Sequence, residues 1–89
     1  MLGVNTIGYA SYGSLPNNDL NDAPSVFESY VVSIGCNGNT ANQPSGVTYA
    51  YVFHFGNKDS GIYFQLAVND QKKCYYRIKW NTWSTWKEI

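Results

Sequence analysis

Apolar and polar residues alternate through four stretches of the chain: "VFESYVVSI" (26–34), "VTYAYVFHF" (47–55), "IYFQLAV" (62–68) and "CYYRIKW" (74–80). All four are rich in β-branched and aromatic residues, and turn-forming residues separate them in "GCNGNTANQPSG", "GNKDSG" and "NDQKK". A period of two bounded by Gly, Asn, Asp and Pro predicts strands, and no helical period intervenes. The last two connections suit hairpins, whereas parallel neighbours need a crossover of about a dozen residues or more. The pattern therefore predicts an all-β fold, a small antiparallel β-meander of four to five strands. The first 25 residues, including "SYGSLPNNDLNDAPS", are dominated by small polar residues and proline. They predict an irregular leading segment of turns, one of them starting at Asn18 or Asp19, whose side chains cap backbone N–H groups.

The alternation separates two faces. Val47, Tyr49, Tyr51, Phe53 and Phe55 share one with Ile62, Phe64, Leu66 and Val68 and with Cys74, Tyr76, Ile78 and Trp80. Thr48, Ala50, Val52 and His54 share the other with Tyr63, Gln65, Ala67 and Asn69 and with Tyr75, Arg77 and Lys79. The first face is plainly apolar, and the second is aromatic and polar without being fully charged. A second face of that kind is expected where a sheet is partly covered, by its own N-terminal segment or by another subunit.

Trp80, Trp83 and Trp86 stand three apart in "KWNTWSTWKEI". That spacing permits a helix, but Trp, Thr and Ser are mediocre helix formers and nothing nearby nucleates one. A strand, a turn at Asn81-Thr82 and a short return strand fit better. Simple alternation would set Trp83 and Trp86 on opposite sides, and a bulge would bring both indoles onto the core. Trp83 and Trp86 are read as packing residues, since each large aromatic buries on the order of 150–250 Å².

Composition narrows the function. Eighty-nine residues make one domain with a modest core. Six basic and six acidic residues cancel, which argues against nucleic acid or an anionic membrane surface as the main partner. The Lys72-Lys73 pair, with Arg77 and Lys79 following, reads as a solvated strand edge. No apolar run approaches the roughly 20 residues of a membrane span, and "MLGVNTIGYASYG" predicts no signal peptide. Cys36 and Cys74 read as two small, partly buried thiols, with pairing between them left open.

Catalytic constellations are scarce. His54 is the single histidine and lies mid-strand, no serine sits in a Gly-x-Ser-x-Gly elbow, and no zinc or calcium spacing occurs. A glycosidase pair among Asp19, Asp22, Glu28, Asp59, Asp70 and Glu88 would need a cleft that so short a chain rarely builds. The expectation is a non-enzyme with no metal and no cofactor. Tyr63 and Tyr75, with Tyr51 if the faces are inverted, are candidates for stacking on sugar rings. Trp80 and Asn81 are candidates because the C-terminal turn sets an indole beside an amide. Arg77 and Gln65 are expected as near cross-strand neighbours, Gln65 as a structural hydrogen-bonding residue and Arg77 also as a candidate ligand contact.

The stretch "IYFQLAVNDQKKCYYRIKWNTWSTWKEI" resembles the C-terminal domains of bacteriophage tail fibres of the pyocin-knob type. It carries a Gln-bearing strand, a hairpin, a "YYR" strand, and then Trp-Ser-x-Trp with Lys and an apolar end. Upstream, "NDLND" (18–22) is similar to that family's Asp-Leu-Asn segment, and "NQPSG" (42–46) to its Asn-x-Pro turn. The chain departs from the pattern at "FESY", where Gly-x-Tyr is usual, and at Asn81-Thr82, where glycine is frequent. The resemblance covers about residues 18–89, leaving 1–17 as a linker towards an upstream fibre shaft. It implies a homotrimeric fibre tip, made in the host cytoplasm and carried on the virion, that recognises a bacterial surface glycan or protein. A structural trimerisation or capping domain and a small polysaccharide-degrading tip are the alternatives.

Overall fold

In a computed structural model, residues 8–27, 32–44 and 49–89 are described. Among these residues seven strands form one sheet: β1 (Gly8–Ser11), β2 (Val32–Cys36), β3 (Ala50–Asn57), β4 (Ile62–Asn69), β5 (Cys74–Trp80), β6 (Thr82–Trp83) and β7 (Lys87–Glu88). β1 to β6 follow one another across the sheet in chain order, and β7 shares the free edge of β5 with β6. From β2 onward every pairing is antiparallel, as the meander requires.

β1 departs from that expectation. It runs parallel to β2, which makes the sheet mixed and places a strand inside the segment expected to be irregular. "GYAS" has no β-branched residue to signal a strand, so its pairing depends on the unpaired edge that β2 offers. The described part of the long connection that parallel pairing needs holds 3-10 turns at Tyr12–Ser14, Pro16–Asn18 and Leu20–Asp22, then one α-helical turn, α1 (Ala23–Val26). Pro24 in the first turn of α1 suits a helix start, where no N–H is needed. Val26 is therefore helical, and the strand expected over 26–34 is described only from Val32. Residues 47 and 48 of the second predicted strand lie outside the described residues.

Asp19 caps the Leu20–Asp22 turn, its Oδ1 accepting from Asn21 N at 2.9 Å and from Asn42 Nδ2 at 2.7 Å. Asn18 stitches the same segment to the loop after β2. Its Nδ2 donates to Asn37 Oδ1 at 3.0 Å and its Oδ1 accepts from Thr40 Oγ1 at 2.8 Å. Leu15, Leu20 and Ala23 are then buried with Val32, Ile34, Cys36, Val52 and Ala67.

The leading segment thus covers the aromatic and polar face, and the apolar face is left open. Ala50, Val52, His54, Tyr63, Gln65, Ala67 and Arg77 are all buried, whereas Tyr51, Phe53, Phe55, Ile78 and Trp80 are exposed. Small side chains at Ala50, Val52 and Ala67 leave room for Leu15, Leu20 and Ala23. The polar residues of that face supply partners that a covering segment of irregular backbone requires. Gly56 is obligatory at the end of β3, because a Cβ there would collide with the Ile62 carbonyl and the Tyr63 ring.

Cys36 lies on the covered face and Cys74, opposite Val68, on the open one, so both are free thiols. Burial pushes the Cys36 thiol up to about 11, partly offset by its hydrogen bond with Thr40.

The β4–β5 hairpin turns through Asp70, Gln71 and Lys72. Lys72 N donates to Asn69 O at 3.0 Å, while Asn69 Oδ1 accepts from the backbone N–H groups of Gln71 and Lys73. Lys72 has φ 63°, the left-handed conformation that a three-residue hairpin loop reserves for glycine. Lys72→Gly should therefore raise the stability by roughly 0.5–1 kcal/mol, read as a higher urea midpoint with an unchanged slope.

Candidate ligand cleft

Strand register sets three polar side chains in one row on the covered face. His54 pairs with Gln65 across β3 and β4, and Gln65 pairs with Arg77 across β4 and β5. Arg77 Nε donates to Gln65 Oε1 at 2.8 Å. Arginine has only donors, so that bond orients the amide and turns Gln65 Nε2 the other way. Nε2 donates to Leu20 O at 3.2 Å and meets His54 Nδ1 at 3.1 Å. His54 Nδ1 must then accept, which places the imidazole proton on Nε2. Arg77 Nη1 completes the row with a 2.8 Å bond to Asn21 Oδ1. Leu20 and Asn21 of the covering segment are thus held by Gln65 and Arg77.

Burial, with the nearby Arg77 charge adding to it, pulls His54 down from 6.5 to about 4. Burial likewise lowers Arg77 to about 10, partly offset by the Asp19 carboxylate, so the guanidinium stays charged at neutral pH. The imidazole also stacks on Tyr63, ring centres 5.3 Å apart.

The C-terminal stretch closes over Arg77. β5 turns at Asn81, whose φ of 67° suits asparagine, and Trp83 lands opposite Lys79 on the covered face. Ser84 N then donates to Ile78 O at 2.8 Å, and pairing resumes at Lys87 opposite Tyr76. Two residues, Thr85 and Trp86, stand opposite Arg77 alone. That extra residue is a bulge, and it carries the second indole to the same side as the first. The Trp83 ring centre lies 3.9 Å from the guanidinium carbon and that of Trp86 4.9 Å. Trp86 is anchored by its Nε1 donating to Asn42 O at 2.7 Å.

Between the bulge, the start of β5 and the loop at Asn42 to Pro44 lies an open cleft of about 700 Å³. Tyr75, Arg77, Trp83, Trp86 and Gln43 line it. Three polar atoms of these residues are buried with no hydrogen-bond partner among the described residues: Arg77 Nη2, Trp83 Nε1 and Gln43 Oε1. Flat aromatic walls around unpaired polar atoms form the kind of surface that holds a small polar ring.

The candidate residues do not form one site. Tyr75 and Arg77 line the cleft. Trp80 lies on the opposite, open face, with Asn81 exposed beside it. Tyr63, expected to face outward, is buried at 5% exposure against His54 and is no surface contact. Gln65 is fully buried at the centre of the row. Gln43, Asn21 and Asn42 were not among the sequence candidates, since each reaches the cleft from a segment remote in the chain. No group of His, Cys, Asp or Glu able to hold a metal occurs among the described residues. Comparison with protein-family models, with curated proteins and with solved structures finds no match to this chain.

Proposed function

We propose that this chain is the distal domain of a phage or phage-derived fibre, which recognises a bacterial surface receptor without catalysis and works as a homotrimer. The residues that resemble the pyocin-knob type support it, and the observation that carries it is the open face. β3, β4 and β5 place no charged side chain on that face. Tyr9, Tyr49, Tyr51 and Trp80 are each more than half exposed, at 66, 59, 57 and 67%, with Phe53 and Phe55 at 37 and 39%. With about 200 Å² for a whole aromatic side chain, these six leave on the order of 600 Å² of apolar surface in water. A soluble monomer rarely keeps more, and a standard interface covers about 800 Å² per partner. The occupant this face fits is a further copy of the same chain, three of them closing around an axis and burying Trp80 at the subunit boundary. The cleft at Arg77 opens on the other side of the sheet and stays free for a receptor. Three weak sites on one rigid tip gain avidity without new contacts.

Sedimentation at micromolar concentration should give three times the 10.0 kDa chain mass. Phe53→Glu, in the middle of the face, should release folded monomers, because a charge there is tolerated in water and not between subunits. A wild-type monomer would remove the trimeric fibre reading. Labelled trimer should adsorb to host bacteria, and an assembled trimer that adsorbs to none would leave a structural cap of the fibre in its place.

A further inference from the structure

We infer that the Arg77 cleft takes an acidic sugar, a ring bearing both a carboxylate and a neighbouring hydroxyl, in preference to a neutral one. This rests on the receptor-recognition reading and names the ligand class of that site. The starting point is the condition of Arg77. It is 3% exposed and charged, yet its hydrogen bonds go to two neutral amides, Gln65 and Asn21. Two indoles cover its plane. No carboxylate bonds it among the described residues, and Asp19 acts on it only through space. A buried cation without a bonded counter-ion is costly, and an incoming carboxylate lowers that cost where a neutral hydroxyl does not.

The unpaired atoms specify the rest. Arg77 Nη2 and Trp83 Nε1 are two donors on one cleft, which suits the two oxygens of one carboxylate. Gln43 Oε1 is an acceptor lining the same cleft, and it matches a donor on the ligand. A carboxylate alone has none, and a neutral hexose has donors but no charge. A uronate supplies both, and its ring has apolar C–H faces to lie on Tyr75 and Trp86. Arg77 Nη2 and Trp83 Nε1 are buried, so a wall of the cleft must shift for a carboxylate to reach them. Trp86 is held by its bond to Asn42, whereas Trp83 is held by stacking on Arg77 with no hydrogen bond among the described residues, so Trp83 is the wall that yields as the carboxylate enters.

The test is titration of the assembled protein with sodium glucuronate, glucose and sodium acetate at matched ionic strength, following the indole N–H resonances of Trp83 and Trp86. Glucuronate should give a saturable shift at Trp83 with millimolar affinity, at least tenfold tighter than glucose or acetate. Trp83→Phe keeps the aromatic wall and removes one donor. In that variant glucuronate, followed at Trp86, should bind about tenfold more weakly, and Arg77→Gln, if it folds, should abolish the preference over glucose. Equal responses to glucuronate and glucose, or no saturable response to glucuronate, would overturn the proposal. Equal responses to acetate and glucuronate would overturn its sugar part. Adsorption to bacteria is measured separately: intact adsorption with no glucuronate response sinks the acidic-sugar assignment alone, and lost adsorption with a retained response sinks the receptor reading alone.

Discussion

Gln65→Leu should remove about 4 kcal/mol of stability, a large part of what a domain of this size has. Leucine nearly matches glutamine in volume, so no cavity adds to the effect. The loss comes from three buried groups that Gln65 satisfies together: the Leu20 carbonyl, His54 Nδ1 and Arg77 Nε. Each buried polar group left without a partner costs roughly 1–3 kcal/mol. The damage should be local as well as global, because Leu20 is where the covering segment is held to the sheet. Urea unfolding gives the stability change, and limited proteolysis should nick residues 15–27 before the strands. A loss below about 1 kcal/mol would show that the Asn18 and Asp19 contacts hold the segment without Gln65.

Acid should destabilise the protein through the same row. The unfolded His54 titrates near its ordinary 6.5 and the folded one near 4. Between those values the unfolded chain takes up a proton that the folded chain refuses, so folding is opposed as the pH falls. The contribution of neutral His54 is complete above 6.5, drains away through the window, and levels off near 4. Its full size is about 3 kcal/mol. Protonation would place an N–H on Nδ1 against the Gln65 amide hydrogens, whose direction Arg77 fixes. Urea midpoints across this pH range should fall accordingly, and His54→Phe should flatten that limb. An equally steep fall in the variant would assign the acid sensitivity to another group.

Half of the sheet was legible in the chain. The prediction of 62–68 and 74–80 meets β4 at Ile62–Asn69 and β5 at Cys74–Trp80 almost residue for residue. Strict alternation between short polar turns leaves few other registers. β1 and α1 were not legible, because four residues of "GYAS" or "APSV" carry too little local preference to form alone. The row of His54, Gln65 and Arg77 had a signal that could have been followed further: once the two hairpin turns are placed, all three fall opposite one another. Gln43 and Asn42 had none, since they meet Trp86 and Arg77 only after the loop folds across the sheet.

The chain by itself determined that strands form, which residues share each face, and that Gln65 and Arg77 are neighbours. Those properties follow from a period of two and from turn lengths, both local in the sequence. Only the tertiary structure decided which face is inside. Apolar content points to the face of Tyr51, Phe53, Leu66 and Ile78 as the core, and the fold buries the other one. The covering segment is irregular, so its carbonyls and amides need buried partners, and His54, Gln65 and Arg77 stand only on that side. Small residues at Ala50, Val52 and Ala67 let it approach, whereas the bulky aromatic face offers neither partners nor room. The bulge at Thr85 and Trp86 was decided in the same way. One extra residue along β5 costs local pairing, and it is kept because it brings a second indole onto a buried charge.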